Sequence, residues 1–262
     1  MSEDYMFSKS NVDKNERLRD IEKYFDPRSR ELIFETGIGE GWTCLEVGPG
    51  AGSIMEWMGE QVGESGLVIG LDNEPKVPSD MTGENVKLRT EDIRESKLDD
   101  YRFHLIHGRF VLQHLPDPET IVENLVAKLE SQGYILFKET DHTIAKAVGN
   151  GEEAQAVNRV FRGLARLCDE VDPYSKDLGI RLPGIFENLG LEVIDVDVQT
   201  PIHRGNTLLA DIFKQTIRGI SHRLRETRVC SESDLLAFDR WLSDEKKYTV
   251  YPAEIATTAK KT

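Results

Sequence analysis

Apolar positions change period several times along the chain, and each change marks an element. Leu18, Ile21, Tyr24 and Phe25 recur at helical spacing. Asp26-Pro27 is suited to end that helix and to start a second one running to Gly37. The pattern then shortens. Residues 42–47 form a brief apolar run, followed by Gly48-Pro49-Gly50-Ala51-Gly52-Ser53, and Ile54, Met55, Trp57 and Met58 open a helix behind it. Strand, glycine turn and helix make the first half of a βαβ unit. Further short apolar runs at 66–71, 86–89, 102–107 and 134–138 predict strands two to five. The second ends at Asp72 and the third near Glu91-Asp92-Ile93, and a helix is predicted over 118–129. Short apolar strands alternating with helices predict an α/β fold, a parallel sheet covered on both faces.

After Glu139 the rhythm changes. Residues 151–171 predict a long amphipathic helix with Val157, Val160, Phe161, Leu164 and Leu167 along one side. Such a helix either packs into a core or roofs a site at the exit of a strand. Residues 191–198 and 248–257 predict the sixth and seventh strands, with a helical stretch over 208–241 between them. No linker or repeat interrupts the chain. The reading is one domain: a helical cap (1–40), a ligand-binding core (41–140), a helical insertion or lid (141–182) and the rest of the sheet (183–262).

Composition narrows the partners. A chain of 262 residues that is 39% hydrophobic can bury a sizeable core. Forty-seven acids against thirty-three Lys and Arg give a net charge of −14, which disfavours non-specific binding to nucleic acid or anionic membranes. No apolar run approaches the ~20 residues of a transmembrane helix, and the first residues lack the apolar core of a signal peptide. Cys44, Cys168 and Cys230 are odd in number and far apart, which suggests neither disulfides nor a zinc site. These features predict a reduced, cytoplasmic protein.

The glycine turn carries the chemistry. A strand-to-helix turn bearing Gly48, Gly50 and Gly52 lets a ligand approach the backbone, and the helix start favours an anionic group. Asp72, about twenty residues on at the end of the second strand, can accept both ribose hydroxyls. Dinucleotides want G-x-G-x-x-G; here Ser53 stands at the third position and the spacing is G-x-G-x-G. Glu46 sits awkwardly for a pyrophosphate and suits a cationic amino-acid end or a sulfonium.

With these residues in view, the sequence resembles the class I S-adenosylmethionine-dependent methyltransferases, in their small-molecule, natural-product branch. Leu45-Glu46-Val47-Gly48-Pro49-Gly50-Ala51-Gly52-Ser53 is similar to their first motif and Val68-Ile69-Gly70-Leu71-Asp72 to their second. Glu91-Asp92-Ile93 matches the acidic position facing the adenine amino group. The segment from His107 to Leu115 resembles the one passing the methionine end, so the likeness covers roughly residues 20–140. It implies a Rossmann-like seven-stranded sheet of order 3-2-1-4-5-7-6 with the last strand antiparallel, and S-adenosylmethionine as cofactor. It also implies roles. Glu46 and the backbone of Gly48, Pro49, Gly50, Gly52 and Ser53 hold the methionine moiety. Asp72 holds the ribose and Asn73 flanks the adenine. Asp92 and Ile93 meet the adenine edge, while Gly108, Arg109 and His114 line the sulfonium end.

The acceptor is narrowed by what the chain lacks. The Asn/Asp-Pro-Pro-aromatic loop typical of nucleic-acid amino methylation is replaced by His107-Gly108-Arg109-Phe110, so DNA is not the expected partner. The positions that hold a metal in the catechol type carry His107 and Gly108, so no metal is implied. The expected partner is a small-molecule acceptor of O, N or C type, and the expected state a monomer or homodimer without membrane association. An oxygen or carbon acceptor needs a proton removed, and Asp141-His142, with His114, are the candidates for that step. Methylation of protein or RNA, and a non-catalytic cofactor-binding role, stay open as alternatives.

Overall fold

The computed structural model describes residues 14–78, 81, 83–170 and 174–262. The first part of the expected cap (1–13) and the expected end of the long helix at 171 lie outside them. A single helix, α1 (Lys14–Glu35), spans the segment where two were expected. Pro27 lies inside it, where a missing N–H normally breaks a helix. The turn before Pro27 is braced by one local and one tertiary ion pair. Asp26 is bridged by Arg30 one turn on, at 3.3 Å, and by Arg109 from the sheet, at 3.0 Å.

Then follow β1 (Thr43–Val47), α2 (Ser53–Val62), β2 (Leu67–Asp72), β3 (Val86–Thr90) and β4 (Phe103–Arg109). A 3-10 turn (Leu112–His114) leads to α3 (Pro118–Val126) and β5 (Leu129–Asp141). Helix α3 is shorter than expected because Leu129 pairs with Phe103 in the sheet, and Phe103 N–H donates to Lys128 O at 2.9 Å. The chain continues through β6 (Lys146–Val148), α4 (Glu152–Glu170), α5 (Leu178–Asn188), β7 (Glu192–Gln199) and β8 (Ile202–Arg204). It closes with α6 (Leu208–Glu226), α7 (Glu232–Ser243), β9 (Tyr248–Val250) and β10 (Ala253–Lys260).

The central sheet has seven strands in the order β3-β2-β1-β4-β5-β10-β7, with β10 antiparallel to both neighbours. Counting only its own strands, this is the order 3-2-1-4-5-7-6. The expected seventh strand over 248–257 is in fact two. Pro252 lacks the N–H needed to continue a ladder, so β9 pairs with β6 and β8 in a small antiparallel sheet and β10 enters the main one. The expected helical stretch over 208–241 is likewise two helices, the second started by a capping box at Ser231 and Asp234.

Alternation along the strands divides the core. Cys44, Val68, Leu105 and Leu136 pack on one face under α2 and the later half of α1. Leu45, Val47, Ile69, Ile106 and Phe137 pack on the other face with α3 and α5. A third cluster gathers α4, α6 and α7 around Phe25 and Tyr251, above the carboxyl ends of the strands. No helix of the described residues is long and apolar enough to cross a membrane.

Candidate active site

A cavity of about 670 Å³ opens where strands β1, β2, β4 and β5 end, lined there by Glu46, Asp72, Arg109 and Thr140. Ligands of open α/β sheets lie in this position. Its first half is built from the glycine turn. Gly48 takes φ +66°, and a Cβ there would stand 2.9 Å from Val111 Cγ2, so only glycine fits. Gly48, Pro49 and Gly50 line the cavity. Gly52, at φ +104°, instead lies against Val77, and Ser53 N–H donates to Glu22 Oε1 of α1 at 3.2 Å. The start of α2 is thus capped by a carboxylate from the cap helix, which suits the positive end of the helix dipole.

Asp72 faces the same half. Its Oδ1 accepts from Glu74 N–H at 2.7 Å, and burial raises its pKa although that bond works against the rise. Asn73, Glu74, Lys76 and Arg94 line the cavity beyond it. Asp92 and Ile93 are not on the wall: Asp92 is gripped by Arg94, which holds its pKa down, and Ile93 packs against the core below. Gly108 is also off the wall, closely packed beneath Phe137 and Val111.

Glu46 is almost fully buried, yet it contributes to the wall. Its Oε2 lies 2.6 Å from Nδ1 of His107, which stands opposite it in the register of β1 and β4 and has no exposed surface.

The second half of the cavity is a partly open, largely apolar chamber. Leu18, Ile21 and Phe25 of α1 form one wall, Leu164 of α4 another, and Leu209, Ile212 and Phe213 of α6 a third. Of the long helix, Leu164 lines the cavity with Ile21 and Phe25 of α1, while Val157 and Val160 pack into the core. Helix α6, Tyr174, Tyr251 and Glu254 also line the chamber, and sequence reasoning missed them because amphipathic spacing identifies a buried face without saying what it faces. Arg109 enters on the shared edge, bridged to Asp26 and donating to Ser29 Oγ at 3.1 Å, and so ties β4 to the cap helix.

The loop between the two halves is held from behind. The carboxyl group of Glu139, fully buried at the end of β5, accepts backbone N–H groups of Val111, Leu112 and Gln113. Burial nevertheless pushes its pKa up to about 8. Gln113 Oε1 in turn accepts from the N–H and hydroxyl of Thr140, and Gln113 O accepts from Ser175 N–H.

Of the three candidate bases, His114 and His142 line the chamber and Asp141 does not. Asp141 Oδ1 accepts from Thr143 N–H at 2.8 Å. His142 Nε2 lies 2.8 Å from the Tyr174 hydroxyl, and its Nδ1 is covered without a hydrogen-bond partner among the described residues. The Tyr174 ring also stands edge-on to His114, with centroids 5.0 Å apart. Burial lowers the pKa of His142 to about 4 and that of His114 to about 3, the latter aided by Arg17. Both imidazoles are therefore neutral near pH 7.

Comparison with known proteins identifies the family. A family model described as a methyltransferase domain matches residues 14–195. Methyltransferase str3 of Strobilurus tenacellus is 25% identical over 188 residues, covering 70% of this chain and 64% of the relative. Methyltransferase pytC of Aspergillus terreus is 23% identical over 131 residues, covering 50% of this chain and 40% of the relative. The chain thus matches less than two thirds of the length of either. Among solved structures, the YcgJ protein of Bacillus subtilis shares the fold, with a TM-score of 0.55, 17% identity and coverage of 89% of this chain and 98% of that one.

Proposed function

The chain belongs to the methyltransferase domain family, and from that premise we propose that it moves a methyl group from S-adenosylmethionine to a small-molecule acceptor. The observation that carries this reading is the continuity of the cavity. One space joins Glu46, the glycine turn and Asp72 to the apolar chamber beside α1, α4 and α6. Apolar side chains from α1, α4 and α6 around that space suit a small molecule better than a protein or RNA segment.

The residues fit the cofactor. Asp72 offers a carboxylate to a ribose, Glu46 one to an ammonium group, and Gly48 and Gly50 leave the backbone bare beside them. Asn73, beside Asp72 on the cavity wall, would flank the adenine end. S-adenosylmethionine supplies the methyl already activated on a sulfonium, so the protein aligns the partners and excludes water. Arg109 and His114 line the same cavity, and Glu139 fixes the loop at 111–113 that lies between them in sequence.

For a hydroxyl acceptor, the proton leaves as the new bond forms and passes through the Tyr174 hydroxyl, which donates its own to His142 Nε2 2.8 Å away. An imidazole of low pKa is a weak base toward a resting hydroxyl. It serves once the attacking oxygen has begun to bond to carbon and its proton has become strongly acidic.

Calorimetric titration with S-adenosylhomocysteine and with NAD tests the cofactor, and tight binding of the first alone is the expected result. Stabilisation by NAD with no response to S-adenosylhomocysteine would overturn the reading. A methyl-transfer screen across phenols, carboxylates, amines and enolizable carbons then identifies the accepting atom.

A further inference from the structure

We propose that His107 is a positioning residue for the cofactor, holding the Glu46 carboxylate in the orientation that receives the cofactor's amino group. The inference rests on the reading of Glu46 given above and goes beyond it in assigning a role to a residue that touches no ligand. His107 has no exposed surface and is absent from the cavity wall, so it cannot meet an acceptor or take its proton. What it does meet is Glu46. The two are register partners on adjacent parallel strands, and Nδ1 to Oε2 is 2.6 Å.

A nitrogen and a carboxylate oxygen that close share a proton, and the Nδ1–H of His107 is the donor. That choice explains the other ring nitrogen. Nε2 is buried without a hydrogen-bond partner among the described residues, an arrangement that costs least when Nε2 carries only a lone pair and no hydrogen. The bond occupies Oε2 of Glu46 and stops the carboxylate from turning, which leaves Oε1 as the oxygen available to a ligand. Without it, the nearly buried carboxylate would lose its donor and its fixed angle together.

The test compares His107→Leu, which fills similar space without a donor, with His107→Asn, whose amide nitrogen falls where Nδ1 stands. The measurement is calorimetric titration of the full chain with S-adenosylhomocysteine. Losing a hydrogen bond to a charged group is expected to weaken binding by about tenfold to a hundredfold in His107→Leu, with His107→Asn restoring most of it. In a Glu46→Gln background, His107→Leu should add much less. Wild-type affinity in His107→Leu, equal loss in both variants, or full additivity with Glu46→Gln would overturn the inference while leaving the cofactor reading intact. No binding by the wild type would overturn both. Nitrogen-15 NMR of the wild type supplies a readout independent of the variants' folding: protonated Nδ1 is expected, and a bare Nδ1 would overturn the proposal.

Discussion

Glu139 Oε1 accepts the backbone N–H of Leu112 at 2.8 Å, so a side chain from the end of β5 fixes the loop that leaves β4. The carboxyl is fully buried and its pKa lies near 8 against an ordinary 4.5. Between those values the folded state binds the proton and the unfolded state has released it, so this group's contribution to stability falls as pH rises from 4.5 to 8. Glu139→Gln keeps an oxygen for the loop N–H groups and has no proton to lose. Denaturant unfolding at pH 5 and pH 8 should show the variant gaining on the wild type at the higher pH. A gap constant with pH would mean that Glu139 is not held neutral.

The histidines act in the opposite sense. His142 and His114 have folded pKa values of about 4 and 3, both set first by burial, against 6.5 unfolded. Below pH 6.5 the unfolded chain takes up protons that the folded one refuses, so stability is lost as pH falls from 6.5 toward 4. The same values shape the rate. The acid limb of a kcat profile should lie near or below pH 4, with no inflection at 6.5 from these residues. A limb centred at 6.5 would require a base in a more solvated setting.

Asp72→Ala should weaken S-adenosylhomocysteine binding by roughly 1.5–3 kcal/mol, the scale of lost charge-assisted hydrogen bonds. Asp72 ends β2 at the cavity and does not fill the core, so the melting temperature should hardly move. Unchanged affinity on titration would remove Asp72 from the ribose position.

On a hydroxyl acceptor, His142→Ala should lower kcat by ~10²–10⁴-fold, the usual worth of general-base catalysis. Affinity for S-adenosylhomocysteine should stay put. Asp141→Asn should cost little, because its carboxylate is turned to Thr143 N–H. If single-turnover rates are untouched by His142→Ala, the proton goes to His114.

Removing residues 1–20 should damage turnover more than stability. Arg17 and Leu18 line the cavity, and Asp20 and Arg17 are tied to α6 through Gln215 and Thr216. Leu32 and Ile33, which anchor α1 in the core, remain. Full activity after the deletion, assayed beside a thermal melt, would show that the chamber needs no cover from the start of α1.

The half of the cavity built from residues 43–72 is readable in the sequence because its causes are local. A strand needs its short apolar run, a turn at φ +66° needs Gly48, and the carboxylate at the end of β2 falls at fixed spacing from the turn. The other half depends on contacts between distant segments. Pro27 reads as a helix boundary until Arg109 is seen bridging Asp26. Strands β6, β8 and β9, at three residues each, are too short to display a period. Tyr174 and Phe213 become wall residues only through the placement of α4 to α6, and the opposition of His107 to Glu46 is a fact of strand register.

The antiparallel direction of β10 has a consequence for synthesis. Because it runs against β5, its first residues lie at the cavity edge of the sheet, and with Tyr251 and Pro252 they bring Glu254 to the chamber wall. Glu254 there meets Lys138 of β5 at 2.6 Å, both nearly without exposed surface. Once β5 is made, a nascent chain holds the residues of the cofactor half of its cavity, while Lys138 still lacks its counter-charge and the chamber lacks a wall. Burying that lysine alone is unfavourable, so the middle of the sheet stays loose until more than a hundred further residues have emerged. A ribosome stalled before residue 254 is expected to hold a chain whose β4 and β5 amides exchange faster than those of β1 and β2.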